Sequence, residues 1–183
     1  MHDQPAAYVL TDPVRELRGE GRPYSVLDGK EPMALANILK ASRSALNGWL
    51  IIDGGGNRPA FDDEIADAAD LCILPFRPSQ EDVDTVSKDM DRIPNALAWP
   101  AAWPTNLFAV HAAQSYISRL SKKYPFRVIT KPIPFVNSAS ELLAESLDSL
   151  SSPVRRLARK VFSIMEEQFE RRSARFAKRI AAG

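Results

Sequence analysis

GWLIIDGGGN, residues 48–57, decides how the rest of the chain is read. An apolar run from Trp49 to Ile52 closes on Asp53 and three consecutive glycines, Gly54, Gly55 and Gly56. A short apolar run bounded by an acid and turn residues is the pattern of a strand buried on both faces. A carboxylate at the end of such a strand can hold Mg²⁺, directly or through water, and glycine backbone N–H groups can come close to a phosphate or an attacking water. The plainer alternative is a turn that leaves a strand through glycines because they permit positive φ.

Similar runs recur on either side. YSVLD (24–28), WLIID (49–53), LCILPF (71–76), LFAV (107–110) and FRVIT (126–130) are short and apolar. Between them, segments 33–46, 61–69, 80–92, 112–123 and 139–149 carry apolar residues at helical spacing, as with Val83, Val86, Met90 and Ile93. Five alternations of strand and helix predict parallel βαβ units in an α/β fold, a three-layer sandwich with a mostly parallel sheet. Ligands of such sheets sit beyond the carboxyl ends of the strands, so the residues after each run are the place to look for chemistry. Segment 95–106, NALAWPAAWPTN, fits no element and is expected to be a packed surface loop or a docking surface, since Trp is enriched at interfaces.

With 183 residues, 45% of them hydrophobic and 26% charged, the chain matches one globular domain spanning 1–183. The single cysteine, Cys72, excludes an intramolecular disulfide and reads as a small buried hydrophobe. The opening MHDQPAAYVL has neither the charged start nor the long apolar middle of a signal peptide, and no apolar run approaches the roughly 20 residues that span a bilayer. A soluble, cytoplasmic protein is the expectation. The acidic run DDEIADAAD (62–70) reads as a solvated helix face beside buried Ile65 and Ala69.

Charge divides unevenly along the chain. Residues 1–150 carry 15 Lys/Arg against 20 Asp/Glu, whereas residues 151–183 carry 9 against 3. That last stretch begins with Ser151, Ser152 and Pro153, a helix start. Apolar residues at 157, 161, 164, 165, 169, 176 and 180 form one stripe of a long amphipathic helix. Arg155, Arg156, Arg159, Lys160, Arg171, Arg172, Arg175, Lys178 and Arg179 mostly cover its other sides and are candidates for nonspecific DNA contact. A solvated basic face with no ligand, or a membrane-surface helix carrying Phe162, Phe169 and Phe176, are the other readings of the same pattern.

A phosphate loop of the form GxxxxGK[ST] would be the partner of Asp53, and the sequence has none. Its only Gly-Lys pair, Gly29-Lys30, is followed by Glu31 and Pro32. Without that lysine and hydroxyl, the β- and γ-phosphates of a nucleotide lack their main cation and Mg²⁺ lacks a ligand, which argues against autonomous ATP hydrolysis. The other familiar constellations are also missing: there is no HExxH, CxxC or GxSxG, and the two histidines are His2 and His111.

Taken in order, these pieces resemble the ParA/MinD-type, deviant-Walker P-loop ATPases. WLIIDGGGN is similar to their strand-plus-Asp element, AADLCILPFRPSQEDVD to a following strand and helix start, and KPIPFVNSASELLAESL to the segment before their final helices. YSVLDGKEP stands where the family has a strand ending in a switch aspartate. The resemblance covers roughly residues 20–180. It implies Asp53 as the Mg²⁺-side carboxylate with Gly54, Gly55 and Gly56 beside it, Asp28 as the switch carboxylate, and Pro132, Pro134 and Asn137 as the wall near the base. It further implies ATP and Mg²⁺ as ligands, a homodimer, nonspecific DNA and a partition-type partner protein.

Departures from the family pattern are specific: no phosphate loop, Lys30 near a second switch position, Gly54-Gly55 where Asp-x-Pro is usual, and His111 in place of an Asn after the fourth strand. The implied function is a partition, positioning or DNA-transfer protein, degenerate or truncated, acting mainly as a DNA- or protein-binding module. The alternatives are an active Mg-ATP hydrolase with an unconventional or separately supplied phosphate loop, and a protein that associates with membrane surfaces. In the family the phosphate-loop strand is central to the sheet, so something must satisfy the backbone groups beside it. AAYVL (6–10) is the expected replacement; otherwise AAYVLTDPVRELRGEGR is a remnant of the first helix.

Overall fold

The computed structural model describes residues 6–10, 24–28, 36, 49–54, 59–138 and 150–181, with side chains for all of these except 6–10, 24–28, 59–63 and 175–181. They belong to two compact units, one built from the chain up to Ala68, the other from Ala69 to Leu142 and from Leu150 onward.

The first unit contains a parallel three-stranded sheet. Strand β1 (Ala6–Leu10) lies in the centre, with β2 (Tyr24–Asp28) on one side and β3 (Leu50–Asp53) on the other. AAYVL is therefore a strand, and its place between the other two supplies the hydrogen-bonding partner each requires. Leu50 and Ile52 are half-buried while Ile51 is 40% exposed, so β3 alternates between its faces instead of being covered on both. Helix α1 (Pro59–Ala68) follows β3. Its described acids Glu64 and Asp67 are exposed as expected, but the buried position is Ala66 and Ile65 is half-buried. The expected helices over 33–46 and 139–149 lie outside the described residues, apart from residue 36, which is helical.

The second unit has its own parallel pair, β4 (Cys72–Phe76) and β5 (Ala96–Pro100), with Cys72 opposite Ala96 and Phe76 opposite Pro100. Helix α2 (Gln80–Arg92) links them, and α3 (Leu107–Lys123) follows β5. The chain then returns parallel to β5. Arg127 O accepts from Ala98 N–H and Ile129 N–H donates to Ala98 O, both at 2.9 Å. FRVIT thus forms a bridge at Val128 and no longer strand among the described residues. Helix α4 (Ser152–Ala181) completes the unit.

Side chains of this second sheet alternate between two apolar clusters. Phe76, Ala98 and Val128 meet Val83, Val86 and Met90 of α2 and Ala113, Ile117 and Leu120 of α3 on one face. Ile73, Leu97, Trp99 and Ile129 meet Val161, Ile164 and Met165 of α4 on the other. Helices therefore cover both faces of a parallel sheet in this unit, which makes the chain α/β with a long C-terminal helix. Full burial of side chains such as Phe76, Met90, Ile117 and Leu120 contributes about 1.5–3 kcal/mol each.

Two expectations are overturned here. LFAV (107–110) is the first turn of α3, because the Asn106 side chain caps it, accepting from Phe108 N–H at 3.0 Å and Ala109 N–H at 3.3 Å. Leu107 and Phe108 are 79% and 86% exposed, so this apolar run is not a buried strand. Segment 95–106 is a loop only in its second half: Ala96–Pro100 is β5, whereas 101–106 is irregular, with Ala102, Thr105 and Asn106 exposed and Trp103 packed inward. Both tryptophans, Trp99 and Trp103, are 2% exposed, which removes them as a docking surface.

Candidate functional site

The carboxyl edge of the first sheet brings two of the expected acids together. Leu10 is the register partner of Asp28 in β2 and of Asp53 in β3. Neighbouring strands lie about 4.8 Å apart, so the two aspartates flank Leu10 with their Cα atoms about 10 Å from each other. Asp53 is half-buried and Gly54 is exposed. Gly55 and Gly56 lie outside the described residues, as does 11–20, the segment that leaves β1. Oxygen donors of this kind suit a hard cation such as Mg²⁺. Among the described residues no three His, Cys, Asp or Glu side chains form a metal-binding group.

The residues expected near a nucleotide base belong to the second unit. Pro132 and Pro134 continue the segment that runs beside β5, where Ile133 N–H donates to Pro100 O and Phe135 N–H to Trp103 O, each at 2.8 Å. Both prolines are half-buried and Asn137 is exposed. His111 is exposed within α3 and so does not follow a strand. Trp99 Nε1 donates to Lys131 O at 2.9 Å, which ties this segment to β5. Trp103 meets Phe76 edge to face, with ring centroids 6.2 Å apart.

RPSQED, after β4, has a structural explanation. Ser79 is the N-cap of α2: its hydroxyl accepts from Asp82 N–H at 3.1 Å and donates to Asp82 Oδ1 at 3.0 Å. Arg77 donates to the same carboxylate from its backbone N–H at 2.9 Å, from Nε at 3.0 Å and from Nη2 at 3.2 Å. The Arg77 side chain, its backbone N–H and the Ser79 hydroxyl hold Asp82 down at a pKa of about 2. An acid placed to resemble a family motif here closes a helix start.

The C-terminal helix presents its cations as the periodicity implies. Arg155, Arg156, Arg159, Lys160 and Arg171 are exposed, whereas Val154 and Ile164 are buried and Leu157, Val161 and Met165 half-buried. The side chains of Arg175, Lys178, Arg179 and Phe176 lie outside the described residues. Phe162 is 45% exposed and Phe169 half-buried. Arg172 departs from the pattern: it is half-buried and donates to Asn95 O, at the start of β5. Helical spacing through Val161, Met165 and Gln168 puts Arg172 on the core-facing stripe, a position the sequence reading assigned to the outer faces.

Cys72 is half-buried in β4. Burial raises its thiol pKa, while the Arg172 and Arg92 cations act in the opposite direction. Among the described residues no helix is long and apolar enough to cross a membrane. A comparison with models of known protein families finds no match, and a comparison with curated proteins finds none either.

Proposed function

We propose that this chain is a degenerate relative of the ParA/MinD-type P-loop ATPases, acting in the cytoplasm as a DNA-binding module in partition, positioning or DNA transfer. The lineage reading rests on β1, a central parallel strand flanked at its carboxyl end by Asp28 and Asp53. DNA binding rests on α4. Its apolar stripe covers the second sheet through Val161, Ile164 and Met165, which leaves Arg155, Arg156, Arg159 and Lys160 exposed on neighbouring turns. Cations grouped this way release counterions from a phosphate backbone without reading base sequence. That packing covers Val161, Ile164 and Met165 of the apolar stripe, while Phe162 is 45% exposed.

A homodimer and a partition-type partner protein are part of this reading. Mg-ATP hydrolysis is the second reading, favoured by the two carboxylates that flank Leu10. Mg²⁺ held by Asp53, with Asp28 on the far side of Leu10, would neutralise phosphate charge there.

The experiment is fluorescence anisotropy of a labelled duplex of arbitrary sequence at low and rising salt. Wild type binds, and the variant Arg155→Ala/Arg156→Ala/Arg159→Ala/Lys160→Ala binds more weakly, with a log–log salt slope lower by about 3 to 4, near 0.9 per lost phosphate contact. No duplex affinity of wild type at low salt sinks the reading.

A further inference from the structure

A groove of about 890 Å³ opens in the second unit between the start of β5, the segment from Phe126 to Lys131, and α4. It lies by the amino-terminal start of β5, away from the carboxyl edges where α/β sheets usually hold ligands. Four cations line it, Arg127, Lys131, Arg171 and Arg172, against one acid, Glu167. Lys131 and Arg171 share that acid, with Lys131 Nζ 3.4 Å from Glu167 Oε2.

The other two cations have carbonyls instead of carboxylates. Arg127 donates to Met90 O at 2.9 Å, Ile93 O at 2.7 Å and Ala96 O at 3.1 Å, and Arg172 donates to Asn95 O. Among the described residues neither forms an ion pair. Carbonyls satisfy the donors but carry no full negative charge, and a cation taken partly out of water without a directly bound anion is costly. Burial lowers the pKa of Arg172 and the neighbouring Arg127 cation lowers it further, while Cys72 and Asp70 act oppositely. An anion in the groove would relieve both effects.

Phe126 indicates what kind of anion. It lines the groove and is 84% exposed. Its φ of 64° belongs to the third position of a turn from Tyr124 to Arg127, closed by Arg127 N–H donating to Tyr124 O at 3.2 Å, and this turn sets the ring at the rim of the cationic groove. Phosphates alone make no use of an exposed ring. A phosphate chain with unpaired bases uses both, because every base has a face to stack on.

We propose that this groove binds single-stranded nucleic acid, with backbone phosphates at Lys131, Arg171 and Arg172 and a base stacked on Phe126. The proposal deepens the DNA-binding reading above and rests on it for the class of ligand, but is centred about three turns along α4 from Lys160, at Arg171 and the Phe126 turn.

Anisotropy titrations with an oligothymidylate and an oligouridylate of about 15 nucleotides, beside a duplex of the same length, test it. Phe126→Gly removes the ring while glycine suits the positive φ of this turn position, so the fold is retained. Its affinity for the single strands should fall roughly tenfold with duplex affinity unchanged. Lys131→Gln/Arg171→Gln should lower the single-strand salt slope by about 1.4. Equal loss with both oligomers points to the shared backbone and base face; loss with one alone identifies DNA or RNA as the ligand, and either result supports the groove.

Wild type that binds duplex but no single strand, or Phe126→Gly that binds single strands as wild type does, overturns this proposal and leaves the α4 reading standing. Wild type that binds none of the three probes overturns both. Single-strand binding that depends on Phe126 and survives the fourfold α4 variant supports the groove whatever happens to the duplex.

Discussion

Asp28 at the end of β2 and Asp53 at the end of β3 stand opposite the same residue, Leu10, in the strand between them. The relationship follows from three parallel strands that finish level, and it gathers acids 25 positions apart in sequence at one sheet edge. No GxxxxGK[ST] lysine accompanies them in the sequence, so the phosphate cation that makes such an edge hydrolytic is missing. Wild type with Mg²⁺ and ATP is expected to release no phosphate above the blank in a coupled assay, and Asp53→Ala to behave identically. Turnover that Asp53→Ala abolishes would establish the hydrolase reading instead.

The capping arrangement of α2 should titrate. Asp82 has a folded pKa of about 2 against an ordinary 3.8, depressed chiefly by its hydrogen bonds from Arg77. A depressed carboxylate adds stability above its unfolded pKa and loses that contribution as pH falls through the folded one. The advantage of wild type over Asp82→Asn in thermal melts should therefore be full at pH 5 and shrink between about 3.8 and about 2. Ser79→Ala, which removes the N-cap hydroxyl, should cost about 1 kcal/mol at neutral pH. A pH-independent gap between wild type and Asp82→Asn would contradict the assignment.

Arg127 joins the end of α2 to β5 through three carbonyls, and its guanidinium lies 5.5 Å from the Tyr124 ring centroid. Lysine has a point charge and no planar fork, so Arg127→Lys keeps the charge yet cannot reproduce these contacts. Urea denaturation should show Arg127→Lys less stable by about 1–3 kcal/mol. Indistinguishable midpoints would mean that the charge alone holds this junction.

Much of the fold is legible in local pattern. YSVLD, WLIID and LCILPF form strands within one residue of their apparent ends, and the spacing of Val83, Val86 and Met90 gives α2 its bounds. Misreadings arise where composition points away from context. ALAWP contains two alanines and a proline, poor strand formers, yet Ala96 and Ala98 are fully buried, and Ala98 sits in the cluster that α2 and α3 form with the sheet. LFAV looks like a strand by composition, but the preceding Asn106 satisfies the orphan N–H groups of a helix start.

By itself the sequence determined which residues end the strands on acids, which face of the last helix is apolar, and that no phosphate-loop lysine accompanies Asp53. These are properties of neighbours along the chain, set by periodicity and side-chain chemistry. Tertiary structure decided that AAYVL is the central strand, that Asp28 and Asp53 share Leu10, and that Arg172 joins Arg127 and Phe126 at one groove. Strand order and the burial of a cation depend on contacts between residues far apart in sequence, and local propensity carries no information about such pairs.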